Sequence, residues 1–140
     1  MNKINNKNNV ITWFEIPVND LDRAQKFYEQ ILSIEMIRRK DGINDAAFFP
    51  FNPNVAQANS NRVTGVLAKS QNLQPSGQGT VVYINANPDI QTVLDKVEAT
   101  GGKIIVSRRK IETGNDKVEA GFVAVIVDSE GNRVGLSAAF

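Results

Sequence analysis

The chain has 140 residues, and its 16 Lys and Arg against 15 Asp and Glu leave no clustered positive charge of the kind that holds nucleic acid. It contains no Cys and no His, which excludes disulfides, thiolate nucleophiles, His-based dyads and imidazole metal ligands. The length fits one domain that buries roughly two thirds of its unfolded surface.

Residues 1–9 are rich in Asn and Lys, with Ile4 as the one aliphatic side chain after Met1, and read as a disordered tail. No apolar stretch approaches the length of a signal core or a membrane span, so a soluble, cytoplasmic protein with no membrane partner is expected. Residues 10–18 alternate as a strand. Val10, Thr12, Phe14, Ile16 and Val18 share one face, and Ile11, Trp13, Glu15 and Pro17 share the other. Asn19 or Asp20 caps a helix whose Leu21, Ala24, Phe27, Tyr28, Ile31 and Leu32 recur at helical spacing. That stripe is expected to cover the Phe14 face. Strands follow at 35–40 and 45–51, joined by an Asp41-Gly42 turn, then a polar loop at 52–61 and a strand at 62–69. Pro75, Gly77 and Gly79 mark residues 70–79 as a linker.

The order then repeats. A strand at 80–86 leads into a helix at 89–100 carrying Ile90, Val93, Leu94 and Val97, which Gly101-Gly102 stops. Strands at 103–107, 121–127 and 133–138 follow. Asp128-Ser129-Glu130-Gly131-Asn132 turns between the last two, with Gly and Asn expected at positive φ. The opening of the second unit, Val81-Val82-Tyr83-Ile84-Asn85-Ala86, aligns with Trp13 to Val18 at a spacing of about 68 residues. The two units also close alike, on Asn61-Arg62-Val63 and Asn132-Arg133-Val134. A unit that recurs only twice predicts paired modules in one domain rather than a solenoid. The fold class is therefore α+β: one domain over 10–138, with modules at about 10–70 and 80–138, and function expected between them.

Three segments together resemble the vicinal oxygen chelate superfamily of glyoxalase I, extradiol dioxygenases and bleomycin-resistance proteins. They are Trp13-Phe14-Glu15-Ile16-Pro17-Val18-Asn19-Asp20-Leu21-Asp22-Arg23-Ala24 with Phe27-Tyr28, Lys96-Val97-Glu98-Ala99-Thr100-Gly101-Gly102-Lys103, and Asp128-Ser129-Glu130-Gly131-Asn132-Arg133-Val134-Gly135-Leu136. The resemblance covers about residues 10–138 and implies paired βαβββ modules. Their mixed sheet forms a cup with the helices on its outer face. It also implies a homodimer. In metal-dependent members a His on each first strand and a Glu on each last strand converge on a divalent ion. Here the first-strand positions hold Trp13 and Val81, and glycines, Gly65 and Gly135, stand near the last-strand ones. An indole nitrogen only donates and a glycine offers no side chain, so no metal and no cofactor is expected.

Strand alternation places Trp13 and Glu15 on the concave side, with Tyr83 and Asn85 at the matching places of the second module. Phe49 and Phe122 are the further cavity candidates, each with core packing as the alternative reading. Trp13 is either a ligand platform or interface packing. Glu15 is either a partly desolvated general acid or base, or the ion-pair partner of Arg38, Arg39 or Arg133. Three functions stay open: a metal-independent binder of a small molecule, a metal-independent lyase or isomerase using Glu15, and an interaction protein with a filled cavity.

Overall fold

The computed structural model describes residues 3–41, 44–55, 63–117 and 120–140. The first module runs β1 (Trp13–Pro17), α1 (Leu21–Leu32), β2 (Ile37–Asp41), β3 (Asn44–Phe48) and β4 (Thr64–Lys69). The second runs β5 (Tyr83–Asn85), α2 (Ile90–Val97) with a 3-10 turn at Glu98–Thr100, β6 (Lys103–Lys110), β7 (Phe122–Val127) and β8 (Arg133–Ala138). Each module makes a mixed four-stranded sheet, ordered β1-β4-β3-β2 and β5-β8-β7-β6. The first and last strands of each module pair in parallel and the rest antiparallel. This is the α+β architecture of paired βαβββ modules that the sequence predicts.

Local chemistry sets the helix ends. The Asp20 carboxylate accepts from the Arg23 amide at 3.0 Å and caps α1, and Asp89 does the same for α2 through the Gln91 amide at 2.9 Å. Gly101, at φ 101°, closes the turn after α2 in the left-handed region that glycine tolerates. Leu21, Ala24, Phe27, Tyr28 and Ile31 form the buried stripe of α1, and Ile90, Val93, Leu94 and Val97 that of α2. The two helices touch, and one continuous core with Ile16, Leu67, Ile84, Ile126 and Leu136 lies beneath them.

Several boundaries differ from the sequence reading. β1 begins at Trp13, leaving Val10 and Ile11 exposed, and β5 has three residues where 80–86 is predicted. β3 stops at Phe48, three residues before the predicted end. Residues 3–9 bury no side chain, Gly42 of the predicted hairpin turn lies outside the described residues, and so does most of the 52–61 loop. In the β7–β8 turn Gly131 has φ 92°, whereas Asn132 has no positive φ. Asn132 serves the turn through its amide instead.

That turn holds the modules together. The Asn132 amide donates to the carbonyl of Pro17 at 2.7 Å, and the Tyr28 hydroxyl donates to Asp128 Oδ2 at 2.7 Å. Glu130 Oε1 accepts from the amides of Asn19 and Asp20 at 3.0 and 2.7 Å, and Arg23 clasps the same carboxylate at 2.6 and 3.0 Å. The Glu130 side chain is fully buried at the N-terminus of α1, where unpaired amides and the helix dipole favour an anion. Burial opposes its ionisation, but the hydrogen bonds from Arg23, Asp20 and Asn19 prevail and hold its carboxyl below the usual range. Burial, with Asp128 alongside, pushes the Tyr28 hydroxyl well above the usual tyrosine range. The second module thus docks on the first through a buried polar cluster whose members are all satisfied.

Candidate functional site

Strand register decides which side chains face away from the helices. Trp13 and Glu15 of β1 lie opposite Thr64 and Val66 of β4, Val66 lies opposite Phe48 of β3, and Phe48 lies opposite Ile37 of β2. Residues in register share a face. Trp13, Glu15, Phe48, Val66 and, two residues along β2, Arg39 therefore stand together on the concave side of the first sheet. They enclose a cavity of about 520 Å³. Ser70 and Leu73, joined by a β-bridge, add a rim from the linker.

The wall of this cavity is aromatic. The rings of Trp13 and Phe48 lie 5.8 Å apart with planes tilted by 59°, and the Arg39 guanidinium sits 5.8 Å from the centre of the Phe48 ring. Trp13 is 37% exposed, so part of the indole faces the opening. Charges of both signs line the same space, with Glu15 and Asp45 against Arg39 and Lys40.

Glu15 differs from its expected surroundings. It is exposed rather than desolvated, and its carboxylate takes one weak hydrogen bond, from the Trp13 indole nitrogen at 3.4 Å. None of the three arginines considered for it forms an ion pair with it among the described residues. Arg38 faces the helix side, bonded to Asp22 at 2.6 Å and to Gln25, and Arg39 lies by Phe48. Arg133 is exposed and lines a second, smaller cleft of about 190 Å³ between the modules. Glu15 lines that cleft too.

The remaining candidates lie elsewhere. Phe49 is a correction: it is 6% exposed in the core, against Phe14 and Tyr28 with ring centres 5.5 Å away in each case. With Phe48 facing the cavity, alternation sends Phe49 to the helices. Phe122 is a second correction. Its register partner Ala138 belongs to the helix-facing side with Ala124 and Ile126, and it packs against the core under the Arg108 guanidinium at 3.6 Å. Tyr83 is 51% exposed on the second sheet and lines neither cavity. Asn85 is exposed and accepts from both nitrogens of Asn87, which makes it a turn residue. Sequence reasoning missed Phe48 and Val66 as cavity residues. The signal was the strict alternation of β3 and β4, which gains a direction only once β4 is paired to β1.

The positions where the resemblance places metal ligands do not fit a divalent ion. Gly65 faces the helices, not the cavity, and a Cβ there would meet the Phe14 carbonyl and ring. The inward residue of β4 is Val66. Gly135 faces away from the helices, but the Tyr83 ring fills the space of its missing side chain. Among the described residues, no three acidic side chains come together as a metal-binding group.

Known proteins give the same fold. Glyoxalase I from Zea mays superposes with a TM-score of 0.62 at 21% identity, over 91% of this chain and 45% of that one. The chain thus spans less than half of the maize protein's length. A hypothetical protein from S. aureus gives 0.60 at 16% identity, covering 90% of this chain and 94% of its own. A glyoxylase/bleomycin resistance protein/dioxygenase domain from Frankia sp. gives 0.63 at 11%, covering 93% and 97%. No curated protein is significantly similar in sequence. The family model described as Glyoxalase/Bleomycin resistance protein/Dioxygenase superfamily matches residues 10–136, nearly the whole chain, and the chain belongs to that superfamily.

Proposed function

We propose that this protein binds a small molecule carrying a planar ring, without a metal, on the concave face of its first module. The observation that carries this reading is the cavity of about 520 Å³ walled by Trp13 and Phe48 and flanked by Arg39 and Glu15. Its size suits a small ligand, and aromatic side chains beside charged groups of both signs can hold a ring and orient its polar substituents. The open cavity weighs against an interaction protein packed with its own side chains. Exposure of Glu15 weighs against catalysis by that carboxylate, because the burial that makes a lone carboxylate a proton-transfer group is missing. Metal independence is supported by Val66 and Gly135 at the inward places of the last strands.

The proposal includes a homodimer in the cytoplasm. β1 and β5 are sheet edges, and Val10, Ile11, Ile37, Tyr83 and Ile105 are large apolar side chains left exposed. Edges and apolar patches of this kind are what a two-fold partner covers. Light scattering at micromolar concentration should return twice the 15.4 kDa chain mass, and a clean monomer removes that part.

The ligand test uses the single tryptophan as reporter. A library of small aromatic compounds should contain members that both raise the melting temperature and change Trp13 emission, since a ligand bound only to the folded state stabilises it. Elemental analysis after dialysis should show no stoichiometric transition metal. A library without effect on either signal, or one tightly held metal equivalent per chain, rejects the reading.

A further inference from the structure

Resting on the ring-binding reading above, we propose that the site is bipartite, and that the inter-module cleft beside the main cavity receives the zwitterionic head of an aromatic α-amino acid. Glu15 lines both spaces. Arg133, at the start of β8, lines the cleft as well. The two charged residues line the same small space, and among the described residues no ion pair joins them. Among the described residues the Arg133 side chain has no hydrogen-bond partner, and Glu15 takes only the 3.4 Å contact from Trp13. A carboxylate and a guanidinium that line one cleft without pairing match a ligand that carries an ammonium and a carboxylate on neighbouring atoms. Guanidinium groups bind carboxylates through two parallel hydrogen bonds, and an ammonium is satisfied by a carboxylate.

The remaining lining agrees in chemistry. Gln74 and Gln78 from the linker and Thr80 before β5 line the cleft, and among the described residues their side chains make no hydrogen bonds. Val82 supplies an apolar contact. With about 190 Å³ the cleft has room for a polar head group, while the larger cavity offers the exposed side of Trp13 to the ring. The cleft is held open by an independent contact, since Asn132 bonds the Pro17 carbonyl on one side and the Ser76 amide on the other. Its polar side chains are thus placed by the module junction.

The test is a titration of the full chain, followed by Trp13 emission, with four probes that share one ring: L-phenylalanine, 2-phenylethylamine, 3-phenylpropionate and 2-phenylethanol. L-Phenylalanine should bind tightest, and loss of either charged group should weaken binding about tenfold, as hydrogen bonds to charged groups do. Glu15→Gln should weaken the amine and the amino acid but not the propionate, and Arg133→Gln the propionate and the amino acid but not the amine. Both residues are exposed, so both variants should keep the parent melting temperature. Equal binding of all four probes, unchanged by either variant, overturns the bipartite site and leaves the ring site standing. Failure of all four to perturb Trp13 removes the aromatic platform, and the bipartite site with it.

Discussion

The two modules share one topology and differ in what their concave faces hold. In the first, the inward residue of the last strand is Val66, which lines an open cavity with Trp13, Phe48 and Arg39. In the second, the matching place is Gly135, and the Tyr83 ring lies down on it. Glycine serves the two modules in opposite ways. Gly65 lets the Phe14 ring pack on the helix side and so thickens the core, whereas Gly135 lets Tyr83 close the surface on the other side. The modules share the frame because it depends on the period of the apolar residues. Their concave faces differ because single inward residues can differ without disturbing that period.

The largest effect should separate neighbouring phenylalanines of the first module. Phe49→Ala empties a core position and should cost about 3–5 kcal/mol in denaturant unfolding. Phe48→Ala removes a half-buried cavity wall, so it should cost clearly less and instead lose the Trp13 response to ring ligands. Equal losses of stability would erase the division between core face and cavity face.

A pair of glycine substitutions sharpens the contrast between modules. A Cβ at Gly65 would meet the backbone carbonyl of Phe14 as well as its ring, with the ring carbon Cγ only 2.6 Å away, and neither yields easily. Gly65→Ala should cost about 3 kcal/mol, the upper range for overpacking. At Gly135 the obstacle is the half-exposed Tyr83 ring, which can swing outward, so Gly135→Ala should cost about 1 kcal/mol. Thermal melts of the two variants give the comparison, and a Gly135 variant as damaged as the Gly65 one would contradict it.

The module junction predicts a smaller loss. Tyr28→Phe deletes the hydrogen bond to buried Asp128, whose Oδ2 keeps only the Asn132 amide at 3.1 Å. Leaving a buried acceptor short of a partner should cost about 1–3 kcal/mol. Asn132→Asp in the same position replaces the donor to the Pro17 carbonyl with an acceptor, and should be worse than Tyr28→Phe.

Smallest is the pH effect of Glu130. Its folded carboxyl titrates below the usual range, so the unfolded chain takes up the proton first. The stabilisation it supplies is complete above the ordinary glutamate value of about 4.3 and is lost as pH falls through the lower, folded value. Glu130→Gln should flatten the acid side of the stability curve and leave its slope above neutral pH unchanged. An identical acid slope in both proteins would show that the carboxylate is not the linked group.

Much of the frame was legible because it is local. The capping Asp20, the stripe from Leu21 to Ile31 and the Gly101 stop are each decided within a few residues. What depends on pairing was not. Whether Phe48 or Phe49 faces the cavity is fixed by the register of β3 on β4, where Phe48 meets Val66, and of β4 on β1, where Val66 meets the distant Glu15. Phe122 was misplaced for the same reason. The Asp128 to Asn132 segment reads as a turn, and nothing in it announces that Glu130 will be buried against α1, more than one hundred residues away. Trp13 and Glu15 were found together because one strand carries both.

The claim that the ligand's ring is held by the first module is tested most directly by amide chemical-shift mapping on titration with L-phenylalanine. The shifts should centre on Trp13, Phe48 and Val66 and extend through Glu15 to Arg133, with the amides of β6 and the Tyr83–Gly135 contact left still. Shifts centred on Tyr83 and Gly135, with Trp13 and Phe48 unmoved, would contradict it.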